Sequence, residues 1–258
     1  MSPAAGGIHI ISIRLNGEVL PGDDLVAKLR LALRQQKVSL QAGDILVVKH
    51  KIVSKAEGRM VRLSKVKPSY WAKVWARKSG ADARLTEIAL AESRRAVRKK
   101  MVGGRGILIT ETHHGFVCAN SGVDLSNVDG GKQAVMLPRD PDGSAARLRL
   151  SIKKKFGVSV PVIITDSFGR AWREGLTEVA IGVAGMKSLA DHRGKRDPHG
   201  YVLHASAEAV ADELACAAGL VCGKLNQTPF CIVRGFGYAR ARGTARELIR
   251  ARENDLFR

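Results

Sequence analysis

The sequence predicts a mixed α/β fold, because segments with helical periodicity and segments with strand composition alternate along its length. Apolar residues recur every four positions at Leu25, Leu29 and Leu33, which is the spacing of a helix face packed against a core. The run 43–48 follows a turn and is rich in β-branched residues, as buried strands are. With 45% hydrophobic residues, the 258-residue chain can bury a core of substantial size.

The first half of the chain carries several helix-start signals. Asp23 or Asp24 is predicted to cap the first helix, since an aspartate side chain accepts hydrogen bonds from the free N–H groups of a first turn. Pro68 is predicted to open a second helix, and Asp82 to cap a third. The Arg- and Lys-rich run 94–100 is predicted to be the last turn of a helix, where cations complement the helix dipole.

Helices and strands are predicted to alternate in the second half as well. A helix over 142–156, with basic residues in its last turn, precedes a strand over 158–164 that leads to Asp166, which places Asp166 at the strand tip. Residues 182–185 are predicted to form a close-packed turn. Two more strands are predicted over 106–110 and 230–233. One face of an alanine-rich helix is predicted to consist of Val210, Leu214, Ala217 and Val221.

Two charged segments leave their structure open. The loop 191–198 either folds over a ligand or faces solvent. From Arg234 onward the chain carries seven arginines among polar residues, and this segment is either disordered or a basic helix. We therefore expect one main domain over residues 1–235, which can have two lobes, followed by a basic C-terminal tail over residues 236–258.

The charge balance indicates a protein that binds anions. Lysine and arginine total 43 against 24 aspartates and glutamates, which gives a formal net charge of +19. Nucleic acid, an anionic membrane surface and a substrate with phosphates and carboxylates all fit this charge, and so does a solvated basic face. The nucleic-acid reading is weak, because three tryptophans, three tyrosines and six phenylalanines form no stacking motif and no zinc module is present.

Several patterns predict where the protein works. The first seven residues lack the basic and apolar regions of a signal peptide, and no apolar run is long enough to span a bilayer. We expect a cytoplasmic protein that does not bind membranes. The four cysteines show no Cys-x-x-Cys pair and no zinc-type spacing with histidine, so we expect small core residues or free thiols and no disulfides.

Two glycine-containing runs, 115–127 and 163–170, place hard oxygen ligands where phosphate chemistry needs a metal ion. Mg²⁺ and Mn²⁺ bind carboxylate, amide and hydroxyl oxygens, usually one or two carboxylates together with substrate phosphates and water. The candidate ligands are Asp124, Asn127, Asp166 and Ser167. The alternative is that these residues only form a polar turn and a helix cap. Lys55, which follows the strand at 43–48, is a candidate phosphate contact or a surface lysine.

The common nucleotide-binding motifs are missing. No Gly-x-x-x-x-Gly-Lys-Ser/Thr sequence occurs, and the nearest approach, residues 219–225, is one position short and lacks the hydroxyl. No Gly-x-Gly-x-x-Gly sequence follows a strand either. The fold is therefore expected to be neither a P-loop nor a Rossmann fold, and any phosphates must be held by a metal, lysines and loop amides.

Together these segments resemble one family, the coenzyme F-420:L-glutamate ligases. The match runs in unbroken order over roughly residues 15–235. The resembling blocks are 43–48 with 51–59, 110–120, 122–127, 166–173 and 179–185. Five blocks in sequence are far more specific than any one of them.

The resemblance implies a GTP-dependent ligase that adds L-glutamate to the deazaflavin precursor of coenzyme F-420 through an acyl phosphate. It also implies Mg²⁺ or Mn²⁺, assistance from K⁺, and an intertwined homodimer with an unusual mixed-sheet α/β fold. Some relatives carry a fused second domain, which we do not expect here. Two alternatives stay open, namely a paralogue that ligates an amino acid to another phosphorylated carboxylate, and a basic nucleic-acid-binding protein.

The resemblance also implies roles for individual residues. The positions of Asp124, Asp166 and Ser167 hold divalent metal, and Asp124, Asp166 and Lys55 serve catalysis. The implied nucleotide contacts are Asn16, Gly17, Glu18, Val19, His50, Lys51, Lys55, Asn127, Gly223 and Lys224. Some positions depart from the family pattern, since His50 replaces a small hydroxyl residue and Ser167 replaces threonine but keeps the oxygen.

Overall fold

The computed structural model describes residues 7–126 and 128–255. The helices are α1 (Leu25–Gln35), α2 (His50–Ala56), α3 (Tyr70–Ser79), α4 (Ala83–Ala91), α5 (Pro141–Phe156) and α6 (Val210–Cys222). The strands are β1 (His9–Ile13), β2 (Ile45–Lys49), β3 (Met60–Arg62), β4 (Ser93–Val102), β5 (Arg105–Thr112), β6 (Val117–Ala119), β7 (Gln133–Val135), β8 (Val162–Arg170), β9 (Arg173–Ala184), β10 (Ala190–Asp191), β11 (Ala207–Glu208) and β12 (Phe230–Arg234).

A five-stranded mixed sheet forms the centre of the fold, with strand order β1-β12-β2-β8-β9. Only β2 and β8 run parallel in this sheet, and the other neighbours are antiparallel. Alternate residues of β2 point to opposite faces, so Leu46 and Val48 join one apolar cluster while Ile45 and Val47 join another. Helices therefore cover both faces, and the predicted mixed α/β class is confirmed.

Helices α1 and α5 pack on one face of the central sheet. Asp24 caps α1 by accepting hydrogen bonds from the backbone N–H groups of Val26 and Ala27, and the predicted leucine stripe is buried. Asp140 caps α5, whose last turn carries the three predicted lysines and whose C-terminus is closed by Gly157 in the left-handed region. These local predictions are confirmed because each depends on neighbours within one or two helical turns.

A second, three-stranded sheet with order β4-β5-β6 lies beside helices α3 and α4. Ser69 caps α3, and Asp82 caps α4 as predicted. The prediction that 94–100 ends a helix is wrong, because these residues form β4 and pair with β5. The turn Gly103-Gly104, with both glycines at positive φ, closes a hairpin that satisfies the backbone of the basic run by pairing.

Three expectations for the second half need correction. β8 does not end at Asp166 but continues to Arg170, because β9 pairs with it along its whole length. Residues 182–184 complete β9 and are close-packed but not a turn. Of the predicted face of α6 only Leu214 is buried, and Val221 is 36% exposed. The buried face consists of Ala211, Leu214, Ala215, Ala218 and Cys222, because the helix turns its alanines toward the sheet.

The C-terminal segment is neither disordered nor a basic helix over the residues that the structure describes. It packs against the sheet face covered by α6, where Ala245 is fully buried and Tyr238 contacts the same apolar cluster. Its regular structure there is limited to two short 3₁₀ turns, Ala245–Leu248 and Arg252–Asn254. Among the described residues, no helix is long and apolar enough to cross a bilayer. All four cysteines are free, as expected.

Replacing Gly182 with alanine should destabilise the protein. A Cβ atom at Gly182 would lie 2.4 Å from the carbonyl oxygen of Pro141, so β9 and the start of α5 would have to separate. We expect a loss of about 1–3 kcal/mol in the free energy of unfolding, measured by urea denaturation. Gly169→Ala is the matched control, because the nearest atom there is 3.9 Å away. Equal stabilities for the two variants would contradict this account of the contact.

Candidate active site

A cleft of about 600 Å³ opens where β2 passes into α2 and β8 passes along β9. Its other walls are the loop after β1 and the loop after α6. Polar and charged residues alternate with apolar ones in its lining, which consists of Leu15, Gly17, Glu18, Val19, Lys49, His50, Lys51, Ile52, Lys55, Thr165, Asp166, Ser167, Glu178, Gly223, Lys224, Leu225, Gln227, Thr228 and Pro229. Four of these residues are lysines, which makes the cleft suited to anions.

Three of the lysines reach the cleft because β2 passes directly into α2. Lys49 ends the strand, Lys51 lies in the first turn of the helix and Lys55 lies one turn later. Lys55 is 8% exposed, and its ammonium group lies 2.9 Å from a carboxylate oxygen of Glu18. A nearly buried lysine needs such a partner, because transfer of an unpaired charge out of water is costly. Lys51 pairs with Asp124 at 2.6 Å.

Glu178 on β9 contacts polar groups from three other segments of the cleft. Its Oε1 atom lies 2.6 Å from the ammonium group of Lys49 and 3.5 Å from that of Lys224. The Ser167 hydroxyl donates to the same oxygen at 2.6 Å, and the Thr165 hydroxyl donates to Oε2 at 3.0 Å. Lys224 also donates to the Ser167 hydroxyl oxygen. Both carboxylate oxygens are thus engaged by groups from β2, β8 and the loop after α6.

A β-bulge brings Glu178 to this position. Ile164 pairs with Gly182, but the next residue, Thr165, pairs with Ala180, so Ile181 is an extra residue in β9. Beyond the bulge, Ser167 pairs with Glu178 and their side chains share a face. If Ile181 paired with Thr165 in a regular ladder, Val179 would stand opposite Ser167 and Glu178 would point to the other face, since side chains alternate with a period of two.

Burial and positive charge act in opposite directions on the carboxylates of the site. Burial favours the neutral form of Glu178, but the hydrogen bond and charge of Lys49, with Ser167 and Lys224, lower its pKa from 4.5 to about 2. Burial likewise opposes ionisation of Asp124, and the hydrogen bond from Lys51 leads the interactions that hold its pKa below its ordinary value. Both carboxylates are ionised at neutral pH.

Asp166 and Ser167 are neighbours on β8 with different partners. Asp166 Oδ1 accepts a hydrogen bond from the backbone N–H of Ser167 at 2.7 Å. The same oxygen lies 3.2 Å from Nε2 of the buried His50, without the alignment of a hydrogen bond. His50 Nδ1 lies 3.3 Å from the Ser54 hydroxyl within α2. Asp166 therefore faces α2, whereas Ser167 faces Glu178 and Lys224.

Most of the residues proposed from the sequence meet in this one cleft. Those that line it are Gly17, Glu18, Val19, His50, Lys51, Lys55, Asp166, Ser167, Gly223 and Lys224. Asn16 lies outside the lining, and its side-chain amide donates to Gln35 on α1. Asp124 is also outside the lining but is connected to it through Lys51. Asn127 lies outside the described residues. The loop 191–198 contributes nothing to the lining.

Sequence reasoning missed five polar residues of the cleft, namely Lys49, Thr165, Glu178, Gln227 and Thr228. The position of Lys49 carried a signal, because Lys49 ends a buried strand and directly precedes the candidate nucleotide contacts His50 and Lys51. The signal for Thr165 was weaker, since Thr165 only precedes the candidate metal ligand Asp166 in the run 163–170. Glu178 had none, because its place depends on the bulge in β9 and not on any local pattern.

The donor set suits a metal ion that arrives with a nucleotide. Among the described residues, no group of three or more His, Cys, Asp or Glu side chains could hold a metal by itself. Mg²⁺ and Mn²⁺ do not need one, since one or two carboxylates together with phosphates and water suffice. Asp166 supplies a carboxylate in the cleft, Ser167 a hydroxyl, and the adjacent lysines suit phosphates. These residues therefore fit such an ion.

Comparison with known proteins matches nearly the whole chain. Residues 13–235 match the family described as F420-0:Gamma-glutamyl ligase. The chain is 43% identical to a coenzyme F420:L-glutamate ligase of Methanothermobacter thermautotrophicus, over 98% of this chain and 99% of the relative. It is 42% identical to one of Methanopyrus kandleri, over 97% and 98% of the two chains. It is 41% identical to one of Methanocaldococcus jannaschii, over 85% and 86%.

Replacing Glu178 with glutamine should remove a pH-dependent part of the stability. The folded-state pKa of about 2 lies below the ordinary value of 4.5, so the unfolded chain binds more protons between these values. The contribution of Glu178 is therefore complete above about pH 5 and is lost as the pH falls from about 4.5 to about 2. We expect it to reach about 3 kcal/mol in the free energy of unfolding, measured by urea denaturation across this range.

Glu174→Gln is the matched control for this experiment, because Glu174 lies on the exposed part of the same strand. Its pH profile should follow that of the wild type. If Glu178→Gln lost as much stability between about pH 4.5 and about pH 2 as the wild type does, the role given to Glu178 would be contradicted.

Proposed function

Because this chain belongs to the F420-0:gamma-glutamyl ligase family, we propose that it joins L-glutamate to a coenzyme F420 precursor in an amide bond, using GTP. Its relatives at 41–43% identity are named coenzyme F420:L-glutamate ligases. The observation that carries the proposal is the cleft that Lys49, Lys51, Lys55 and Lys224 line together with the carboxylate and hydroxyl oxygens of β8 and β9.

The lysines support the choice of a phosphorylated co-substrate. An anion in the cleft would meet ammonium groups from β2, from two turns of α2 and from the loop after α6. Each ammonium group is held near a carboxylate before any phosphate arrives, so little rearrangement is needed to bind one. We propose that Lys51 and Lys55 contact the nucleotide, together with the loop Gly17-Glu18-Val19.

The proposed reaction has two steps, because a free carboxylate does not form an amide at neutral pH without activation. In the first, an oxygen of the substrate carboxylate attacks the γ-phosphorus of GTP, the bond to the β-phosphate oxygen breaks, and an acyl phosphate and GDP form. In the second, the glutamate amine attacks the acyl carbon, phosphate leaves and the amine loses a proton. Lys55 and Lys51 would orient the phosphates and balance the charge that shifts between oxygens.

We propose that Asp166 holds Mg²⁺ or Mn²⁺, with Asp124 nearby and K⁺ assisting, and that the Ser167 hydroxyl is open to such an ion only when Lys224 does not hold it. When bound, such an ion polarises phosphate oxygens and neutralises developing negative charge. The protein groups hold the reactants in position. His50 packs beside Asp166 and limits the orientations of its carboxylate, and Glu178 fixes the Ser167 hydroxyl.

A paralogous activity is the alternative within the same fold. An enzyme with this cleft could ligate an amino acid to another phosphorylated carboxylate, because the four lysines of the described lining suit phosphate and carboxylate groups on any substrate. A panel of carboxylate acceptors in the same assay separates the two possibilities, since only the preferred acceptor should support turnover at low concentration.

We also propose that the chain forms a homodimer through the outer face of the β4-β5-β6 sheet. Ile107 and Ile109 are only half-buried there, and Val117 on β6 is 36% exposed. The strand pairing places Arg98 beside Ile109 and Lys100 beside Ile107, so the apolar centre has a basic rim. An apolar centre with a charged rim is the usual anatomy of a protein interface.

Purified protein incubated with GTP, Mn²⁺, L-glutamate and the unglutamylated precursor should give a product heavier by one or more glutamyl units, detected by mass spectrometry. Asp166→Asn should lower kcat by about 10²–10³-fold, since it removes one charged group that acts on the transition state. Near-normal turnover and unchanged metal demand in this variant would sink the assignment of Asp166.

The matched control is Glu213→Gln, which removes one carboxylate charge from the exposed surface of α6. It should keep wild-type turnover. Circular dichroism should show the same melting temperature for both variants, so that a loss of turnover in Asp166→Asn reports on the site and not on folding.

Ile109→Glu should convert the dimer into a monomer, because it places a charge at the centre of the proposed interface. Light scattering after size exclusion should give twice the chain mass of 27.8 kDa for the wild type and a single chain for the variant. Leu150→Glu is the control, since Leu150 is an exposed apolar residue on α5. A wild-type protein that is monomeric would refute this interface.

A further inference from the structure

Lys224 occupies a place that a bound cation could take. Its ammonium group donates to the Ser167 hydroxyl oxygen and lies 3.5 Å from Glu178 Oε1. These two oxygens are themselves in contact at 2.6 Å. A hydroxyl and a carboxylate oxygen side by side form the kind of hard-oxygen pair that binds a metal ion. In this protein the Lys224 ammonium group already contacts this oxygen pair.

The two lysines on Glu178 differ in freedom. Lys49 is 21% exposed at its side chain and belongs to a central strand of the five-stranded sheet. Lys224 is 62% exposed at its side chain and follows Gly223, which has φ 59° and ends α6. Lys49 is therefore a fixed part of the cleft wall, whereas Lys224 reaches in from its rim on a flexible stem of four carbons.

A metal ion and the Lys224 ammonium group cannot share the Ser167–Glu178 oxygens. Both would need the same lone pairs, and the two positive charges would repel each other strongly at contact distance in a partly buried site. Lys49 stays on Glu178 Oε1 in either case, so the competition is for the Ser167 hydroxyl oxygen and the remaining side of Glu178, where either Lys224 or a metal ion can bind but not both. Lys224 has the advantage of being tethered, so its effective concentration at the oxygens does not depend on the solution.

We infer that Lys224 is a tethered cation that replaces a metal ion at the Ser167–Glu178 oxygens, so that this chain binds one metal ion fewer than the same cleft without Lys224. The inference rests on the proposed function, in which a nucleotide brings metal to the cleft at Asp166. It concerns a separate oxygen pair, on the opposite side of β8 from the contact between Asp166 and His50.

The test counts Mn²⁺ ions bound per chain by electron paramagnetic resonance, with Mn²⁺ alone and with Mn²⁺ plus a non-hydrolysable GTP analogue. Lys224→Gln, which keeps a polar side chain but no charge, should bind one more Mn²⁺ than the wild type. Adding Glu178→Gln to that variant should abolish the gain. Lys154→Gln removes a lysine from the last turn of α5, remote from the cleft, and should bind as the wild type does.

Equal Mn²⁺ counts for the wild type and Lys224→Gln under both conditions would overturn the inference. A gain that survives Glu178→Gln would also overturn it, because the extra ion would then lie elsewhere. Unchanged melting temperatures verify that the variants are folded. If the wild type makes no glutamylated product but Lys224→Gln gains the ion, the proposed function fails while the role of Lys224 stands.

Discussion

The bulge in β9 is the constraint on which the cleft depends. One extra residue, Ile181, turns Glu178 toward Ser167 instead of toward the opposite face of the hairpin. In that position Glu178 neutralises Lys49 and holds Lys224. Without it, Lys49 would remain partly buried beside no comparable carboxylate, at a cost of several kcal/mol for an unpaired charge. The position of one strand residue thus determines whether the lysines of the cleft can be close together.

The cleft is rich in cations, yet it is not an unbalanced positive surface. Lys51 is paired with Asp124, Lys55 with Glu18 and Lys49 with Glu178. These pairs hold the ammonium groups in place, and in the proposed function each would have to be weakened or extended when phosphate oxygens compete for the same donors. The site therefore gains preorganised geometry and gives up some affinity. Much of the net charge of +19 lies elsewhere, as on the exposed strand β4.

The sequence was informative where structure depends on near neighbours. The caps at Asp24 and Asp82 and the strand at the centre of the sheet were predicted from patterns a few residues long, and ten candidate residues do line one cleft. It was uninformative where structure depends on pairing with a distant segment. The run at 94–100 became a strand because β5 pairs with it, and Glu178 entered the site through the register of β9. The register of β9 has no local signal, whereas the pair Gly103-Gly104 is a hairpin signal that the helix prediction for 94–100 did not use.

The extension of β8 past Asp166 explains how adjacent residues on one strand can serve the same cleft. Side chains at Asp166 and Ser167 point to opposite faces, which would place only one of them in a site built at a strand tip. However, β2 pairs with β8 only as far as Thr165, so beyond that point the β8-β9 hairpin stands free of the central sheet. Its two faces then reach His50 on one side and Lys224 on the other. A single rigid ribbon therefore fixes the distance between the two halves of the cleft.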